Sequence, residues 1–438
     1  MHTFVTGETG GGKSMGQVNR LLTSQRAIVL DWHYRSISWE VAKHLASWDG
    51  RFVLDNLGWT KHGIAWRFLK PSRRSGMTGV KQNEARARAF SEVLMRYQGR
   101  TSLAHTPLVE TATMAALLCF LYQSKPFPLY LLYKIFDPED PLYEQAVGNC
   151  TDGDTQKVVA HWKRLSPSAR RYELGGAERM FRLVLTSPAF MYRCAGHFDV
   201  AKFLDDERGG FILIEGGDVS DEAKRVIFGA ISQQIIETAK RGKFKNPVQL
   251  VLDEAQEYAG RYECKALREV RKFNLELTII AQSLPQEMRE DILQNCQRLE
   301  VYRCNSPDSA RVFAGMIGAV MGGADSLAAD ISAAQRAIMN LHVGERFVRQ
   351  GRAWKERVSL RRDPYPWPGL TEKRTWEAIR KSIGEHGGRL SLRGCEKTPA
   401  PPTKSAKPSD SKATPSRSPA IQLLRELSRD SNENGKSE

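Results

Sequence analysis

The fold is decided by one stretch near the start of the chain, Gly7-Glu8-Thr9-Gly10-Gly11-Gly12-Lys13-Ser14. The stretch matches the pattern GxxxxGK[ST] and lies between an apolar segment typical of a buried strand, His2–Thr6, and a segment typical of a helix, Met15–Ser24. Glycines let backbone N–H groups turn inward around a phosphate chain, and the following helix offers the positive end of its dipole. We therefore predict that this stretch is a phosphate-binding loop.

Two residues of the loop have specific predicted roles. Lys13 supplies positive charge to the β- and γ-phosphates, and the Ser14 hydroxyl ligates Mg²⁺. The loop thus predicts ATP as the nucleotide and Mg²⁺ as its metal ion. The alternative is a glycine-rich turn with an incidental Lys-Ser pair, which the strand before it and the helix after it disfavour.

A pair of acids follows a second apolar segment, Val248–Leu252, which is typical of a buried strand. Because ligands of parallel sheets bind at the carboxyl ends of the strands, Asp253 is expected to hold the Mg²⁺ and Glu254 to orient and activate the attacking water. Two acids also occur at ordinary strand-to-loop transitions. Their occurrence in one chain with the phosphate-binding loop favours the functional interpretation and indicates hydrolysis.

Two further residues are candidates for the same site. Gln282 directly follows the predicted strand Leu277–Ala281 and is placed to sense the γ-phosphate, although a polar strand end is the alternative. Arg271 precedes that strand and is a candidate arginine finger that reaches the ATP of a neighbouring subunit. A solvated helix face is the alternative for Arg271.

The wider pattern predicts an α/β fold. The order strand, helix, strand at the start of the chain indicates a mostly parallel sheet. We expect the first part of the core in 1–80, an all-helical insertion in 81–203, the second part of the core in 204–365, and a linker with a disordered basic tail in 366–438. Predicted strands other than those above are Ala27–Asp31, Arg51–Leu54, Gly210–Ile214, Leu299–Tyr302 and Arg346–Val348. A short amphipathic segment, Ala420–Leu427, interrupts the tail.

The amino-acid composition limits which kinds of partner and which cellular location we expect. The net charge of +15 favours a polyanion such as nucleic acid or an acidic membrane surface, unless the excess lies only in the tail. The seven cysteines include no CxxC pair, which fits a reducing cytosol rather than a disulfide framework. The longest uninterrupted apolar run, Met114–Tyr122, is too short to cross a bilayer. We expect a cytoplasmic protein without a membrane span of its own, associated with a membrane only through partners.

Four segments together resemble the FtsK/HerA superfamily of P-loop ATPases, and within it the TraG/TraD-type conjugative coupling proteins and the HerA-like DNA translocases. The segments read TGETGGGKS, QLVLDEAQEY, LREVRKFNLELTIIAQSLPQ and ILQNCQRLEVYRCNSPDSARVF. The resemblance covers about 1–80 and 198–360 and implies a RecA-like core. It implies that Lys13 and Ser14 are the phosphate-loop pair, that Asp253 and Glu254 are the metal and water carboxylates, and that Gln282 and Arg271 are the sensor and the trans-acting finger.

The resemblance also implies a working assembly. Members of the superfamily form hexameric rings that thread DNA through a central channel. Coupling proteins usually carry transmembrane helices ahead of the loop, and HerA proteins carry a small β-barrel there. Neither is expected here, because Gly7 already belongs to the loop.

Three functions follow as hypotheses. The first is an ATP-hydrolysing motor that moves DNA of either strandedness, in conjugative transfer, genome packaging or chromosome processing. The alternative is a phage-assembly or secretion ATPase that acts on a protein partner. The third is a nucleotide-regulated binding module without turnover, which the acid pair disfavours. A relaxase, a capsid protein or a secretion-complex protein is the expected protein partner.

Overall fold

Nine strands form the central sheet, in the order β10-β9-β8-β1-β7-β6-β2-β5-β3. In the computed structural model, the described residues are 1–48, 50–69, 76–96, 107–194, 196, 198–284, 288–321, 327–350, 353–359 and 369–389. The strands are β1 (Thr3–Thr6), β2 (Arg26–Asp31), β3 (Phe52–Asn56), β4 (His62–Gly63), β5 (Gly210–Glu215), β6 (Val248–Leu252), β7 (Leu275–Ala281), β8 (Arg298–Tyr302), β9 (Glu345–Gln350), β10 (Ala353–Ser359) and β11 (Gly388–Arg389).

The pairing directions divide the sheet into two parts. All pairs from β8 to β3 are parallel, whereas β8–β9 and β9–β10 are antiparallel. Strands β4 and β11 form a separate antiparallel pair. Every residue of β1, β2, β5 and β6 is buried, which is the burial expected of parallel strands covered by helices on both faces.

Fifteen α-helices lie in the described residues. They are α1 (Lys13–Leu22), α2 (Ile37–Leu45), α3 (Gly76–Met95), α4 (Pro107–Leu121), α5 (Pro141–Asn149), α6 (Gly153–His161), α7 (Pro167–Leu185), α8 (Pro188–Arg193), α9 (Val200–Leu204), α10 (Asp221–Lys240), α11 (Arg261–Glu269), α12 (Arg289–Asn295), α13 (Pro307–Met321), α14 (Leu327–Met339) and α15 (Glu372–His386). Short 3₁₀ turns lie at Ala46–Trp48, Leu129–Phe136, Trp162–Arg164, Ala255–Glu257 and Val270–Phe273.

The segment between β4 and β5 contains helices and no strand among its described residues. Local sequence starts several of these helices, because Asp140 and Ser166 accept backbone hydrogen bonds at helix starts where proline follows as the first helical residue. Phe136 stacks on Trp162 with ring centroids 5.3 Å apart. Helix α3 packs on α10, so these helices share one continuous core with the sheet.

Two predictions fall outside the described residues. They are the disordered tail from residue 390 onward and the amphipathic segment Ala420–Leu427. The cysteines of the described residues form no disulfide bond. Within the same residues, no helix combines the length and apolarity needed to cross a membrane.

Candidate active site

The phosphate-binding loop connects the end of β1 to the start of α1, in the middle of the sheet. Its backbone requires glycine at two places, because Gly7 has a φ of 144° and Gly12 a φ of 98°. A Cβ on Gly7 would lie 2.6 Å from the Tyr302 Cβ, and one on Gly12 would lie 2.7 Å from the Gly344 nitrogen. The loop is therefore held between the segment after β8 and the turn before β9.

Main-chain hydrogen bonds fix the loop against the same two segments. The Glu8 nitrogen donates to the Arg303 carbonyl at 2.8 Å, and the Gly344 nitrogen donates to the Gly11 carbonyl at 3.0 Å. The Glu8 carboxylate forms an ion pair with Arg303. The loop thus has a defined shape before any ligand is considered.

Lys13 is buried at the first position of α1. Its Nζ donates to the Gly7 carbonyl at 2.6 Å and to the Glu8 carbonyl at 2.8 Å, so the ammonium lies inside the curve of the loop. Burial lowers the pKa of Lys13, while the charges of Glu254 and Asp253 raise it. These charges act on Lys13 because the acid pair and the loop converge.

Asp253 directly follows β6, and its main-chain nitrogen donates to the Leu30 carbonyl of β2 at 3.0 Å. The residue is buried, and its Oδ2 has no hydrogen-bond partner among the described residues. Burial, and then the charge of Glu254, raises the pKa of Asp253 to about 6. A buried carboxylate oxygen without a partner costs free energy, and a bound cation would remove that cost.

The next residue, Glu254, differs from Asp253 because both of its carboxylate oxygens have hydrogen-bond partners. Its Oε1 lies 3.4 Å from His33 Nε2 and accepts from Gln282 Nε2 at 3.2 Å, while its Oε2 accepts from Gln256. Burial alone would raise the pKa of Glu254, but the hydrogen bonds from His33, Gln256 and Gln282 outweigh it and lower the pKa to about 2. Its backbone is in the left-handed region, with a φ of 47°.

The structure brings most of the predicted residues together. Gly7 to Ser14 form the loop, with Ser14 exposed on the first turn of α1, and Gln282 contacts Glu254. Arg271 is not in this group. It is exposed in the 3₁₀ turn before β7, at the amino edge of the sheet, whereas the loop lies at the carboxyl edge.

Three residues near the acid pair were missed by reasoning from the sequence. They are His33, Gln256 and Asp31. Asp31 ends β2, and its fully buried carboxylate accepts from the Ser38 nitrogen at 2.7 Å. Burial, and then the charge of Asp253, raises the pKa of Asp31. The sequence does show Asp31 as a polar residue at the end of a predicted strand. Assigning it to the site also requires knowing that β2 and β6 are neighbours in the sheet.

The residues present fit a nucleotide with Mg²⁺. The orphaned Oδ2 of Asp253 and the exposed hydroxyl of Ser14 are hard oxygen ligands of the kind Mg²⁺ takes. Gly12 precedes α1 without a side chain to cap it, so the N–H groups of the first turn are available to phosphate oxygens. No group of three or more His, Cys, Asp or Glu side chains able to hold a metal occurs in the described part of the chain.

The fold and the loop define the class: a RecA-like α/β core with a P-loop between β1 and α1, as predicted from the sequence. Solved structures with a similar fold include those of the bacterial conjugative coupling protein TrwB. The unbound form of TrwBΔN70 has a TM-score of 0.59 at 14% identity, covering 84% of this chain and 88% of that one. TrwB in complex with ADP and Mg²⁺ has a TM-score of 0.57 at 14% identity, covering 84% and 87%.

A further likeness is to VirB4 of Thermoanaerobacter pseudethanolicus, with a TM-score of 0.51 at 15% identity over 83% of this chain and 90% of that one. At such identities the comparisons show the fold alone, and they confirm the predicted RecA-like α/β core. No protein-family model matches the chain, and no curated protein is significantly similar to it in sequence. The ADP and Mg²⁺ of the TrwB complex agree with the cofactors predicted from the loop.

Proposed function

We propose that this chain is an ATP-hydrolysing motor that moves DNA in conjugative transfer or a related transport process. The observation that carries the proposal is the convergence of the loop and the acid pair: Gln282 donates to Glu254 Oε1 at 3.2 Å, and Thr6, directly before the loop, donates to the Gln282 carbonyl at 3.3 Å. The likeness in fold to a conjugative coupling protein supports the choice of process. The net charge of +15 supports a polyanionic substrate.

The residues of the site divide the work of hydrolysis. Lys13 and the loop N–H groups would hold the β- and γ-phosphates, and Ser14 and Asp253 would hold Mg²⁺, which would supply positive charge to the phosphate oxygens. Glu254 orients the attacking water and takes its proton. His33 and Gln256 fix the Glu254 carboxylate, and Gln282 contacts the same carboxylate from the end of β7, where a change at the γ-phosphate can be passed to the sheet.

Arg271 has a role only between subunits. It lies at the amino edge of a seven-residue strand whose other end reaches the site, so roughly 23 Å of strand separates it from the ATP of its own chain. Its exposure leaves it available to a neighbour. We therefore assign it the finger role in a ring, with six subunits as the working number and a cytoplasmic location for the assembly.

The test is an ATPase assay of the full chain with single-stranded DNA, with duplex DNA and without DNA. We expect stimulation by DNA that weakens as salt rises. Glu254→Gln is expected to lower turnover about 10²- to 10⁴-fold while ATP still binds. The matched control is Glu257→Gln, since Glu257 lies on the same turn but pairs with Arg225 at 3.0 Å outside the site.

Two outcomes would overturn the proposal. Equal loss of turnover in Glu254→Gln and Glu257→Gln would remove Glu254 from the chemistry. Full turnover that neither form of DNA changes would exclude a DNA motor, and stimulation by a capsid or secretion-complex protein would then favour the assembly ATPase.

A further inference from the structure

A groove far from the phosphate-binding loop has the lining of a binding site. It has a volume of about 760 Å³ and lies between α15 and the loop that joins β3 to β4. We call it the tryptophan groove, after Trp59 of that loop and Trp376 of α15. Ile379 and Ile383 complete its apolar lining, and the aliphatic and ring surfaces exceed the polar ones.

The walls of the tryptophan groove are preformed. The Trp59 nitrogen donates to the Asn56 carbonyl at 2.9 Å, and the Trp59 carbonyl accepts from the buried Arg193 at 3.1 Å. The rings of Trp59 and Trp376 lie 5.9 Å apart, and Trp39 packs behind Trp376 at 5.0 Å. Both lining tryptophans remain partly exposed, so ring surface is offered to a ligand at little cost in ordering.

The charge of the groove has one sign. Lys61 and Arg380 are exposed at its rim, and neither has a carboxylate partner among the described residues. The ten lining residues include no aspartate or glutamate. Unpaired cations beside exposed aromatic rings call for a ligand that carries both negative charge and flat apolar surface.

We propose that the tryptophan groove binds single-stranded nucleic acid, with bases against Trp59 and Trp376 and phosphates at Lys61 and Arg380. Bases of a single strand expose their faces to aromatic side chains, whereas a duplex hides them in its stack. An acidic peptide would satisfy the cations but would leave the ring surface uncovered. This inference rests on the proposed function, since it names a contact for the DNA that the motor moves.

The groove is separable from ATP hydrolysis. It lies beyond the carboxyl end of β3, the edge strand, and β3 is five positions from β1 in the sheet order. At the usual spacing of strands this separation is about 24 Å, and the separation of β3 from β6, which carries the acid pair, is about 14 Å. Substitutions at the rim therefore leave the basal turnover without DNA unchanged, which serves as a check that each variant is folded.

The test compares the full wild-type chain with three variants. Lys61→Glu with Arg380→Glu reverses the rim charge, and Trp59→Leu removes a ring but keeps apolar surface. Arg374→Glu is the matched control, because Arg374 is exposed on the opposite face of α15 by the helical period. The probes are a fluorescein-labelled oligothymidine, an abasic strand of the same length and a duplex, with affinity followed by anisotropy over a range of salt.

The double variant is expected to bind oligothymidine at least about tenfold more weakly, with a salt slope lower by about 1.4, the value for two phosphate contacts on a single strand. Arg374→Glu is expected to keep the wild-type affinity and slope. Trp59→Leu is expected to remove most of a preference of about tenfold for oligothymidine over the abasic strand.

Three results would contradict the binding of single-stranded nucleic acid in the tryptophan groove. They are equal weakening by Arg374→Glu, no difference between thymidine and abasic strands in the wild type, and displacement of the strand by polyglutamate at equal charge. Wild-type stimulation by DNA with unaffected groove variants would reject the groove alone. Absence of any DNA binding by the wild-type chain would reject the proposed function as well.

Discussion

Two buried acidic centres lie at the same edge of the sheet, and they differ in how fully their oxygens are hydrogen-bonded. At the end of β3, Asp55 accepts from Arg193 at 2.7 Å and 3.0 Å and from the Ile64 nitrogen at 3.2 Å, with both charged side chains fully buried. At the ends of β2 and β6, Asp253 keeps an oxygen without a partner beside the buried Asp31.

We interpret the first centre as a structural ion pair and the second as the predicted metal-binding site. The Asp55–Arg193 centre is complete within the chain and has no unfilled oxygen to offer. The Asp253 centre carries a cost that a cation, a proton or a hydrogen-bond donor would remove, and a bound cation is one such partner. Satisfaction of hydrogen bonds, rather than burial or charge, thus distinguishes the two centres.

The largest expected effect comes from breaking the complete centre. Arg193→Met is expected to lower the free energy of unfolding by about 3–5 kcal/mol, because it leaves Asp55 buried without its charge partner. Arg182→Met is the control, since Arg182 pairs with Glu178 but is 59% exposed, and it is expected to change stability by less than about 1 kcal/mol. Urea unfolding measures both, and equal losses would contradict the comparison.

Removing the charge of the incomplete centre is expected to raise the free energy of unfolding, whereas breaking the complete centre lowers it. Asp253→Asn removes a carboxyl whose folded pKa is about 6, raised by burial. The folded wild type binds this proton more tightly than the unfolded chain, so the wild type loses stability as pH rises from about 4 to about 6 and Asn does not. Near pH 8 the variant is expected to be about 2 kcal/mol more stable and, near pH 4, equal. Unfolding at the two pH values checks this, and a less stable variant at pH 8 would refute it.

A gain of similar size is expected at Glu215, on β5 between the two centres. Its Oε1 has no partner in the described part of the chain, Asn56 donates to its Oε2 at 3.0 Å, and burial raises its pKa to about 7. Glu215→Gln is expected to stabilise the protein by about 2 kcal/mol well above pH 7, and less as the pH falls toward the unfolded pKa, because the wild-type carboxyl takes up its proton.

Turnover distinguishes the two stabilising changes. Glu215→Gln is expected to keep wild-type ATP turnover, because β2 lies between β5 and β6. Asp253→Asn is expected to lose it. Loss of turnover in Glu215→Gln, measured in the same ATPase assay, would place Glu215 in the active site together with Asp253.

The smallest effect is expected at His33. Loss of one hydrogen bond to the Glu254 carboxylate is expected to lower kcat about three- to tenfold in His33→Ala, with an unchanged KM. His33→Gln retains a donor and is expected to recover most of the rate. Steady-state kinetics separates the two, and equal rates in both variants and the wild type would show that the 3.4 Å contact does not position Glu254.

The local pattern of apolar residues was enough to predict the strands that position the site residues. The strand Val248–Leu252 is observed with its predicted bounds, and the predicted His2–Thr6 is observed as Thr3–Thr6. Uninterrupted apolar runs that end in turn residues make such strands readable. The strand Ala353–Ser359 was not predicted, because its sequence AWKERVS has no such run. The roles assigned to the site residues stay predictions.

Other features depended on information that no local pattern holds. Helix α7 begins at Pro167, and no apolar period marks its start because its first turns are mostly exposed and polar. The contact of His33 with Glu254 requires the neighbouring places of β2 and β6, which are far apart in the chain. Strand order is set by long-range packing, so His33 was not identifiable from the sequence.

The contact between Gly12 and Gly344 has a mechanical consequence. No side chain stands between the two backbones, and Gly344 itself has a φ of 87°. A shift of the phosphate-binding loop on nucleotide exchange therefore cannot be absorbed by a rotamer change at this point. We expect the turn and the antiparallel strands that follow it to move with the loop when the loop shifts.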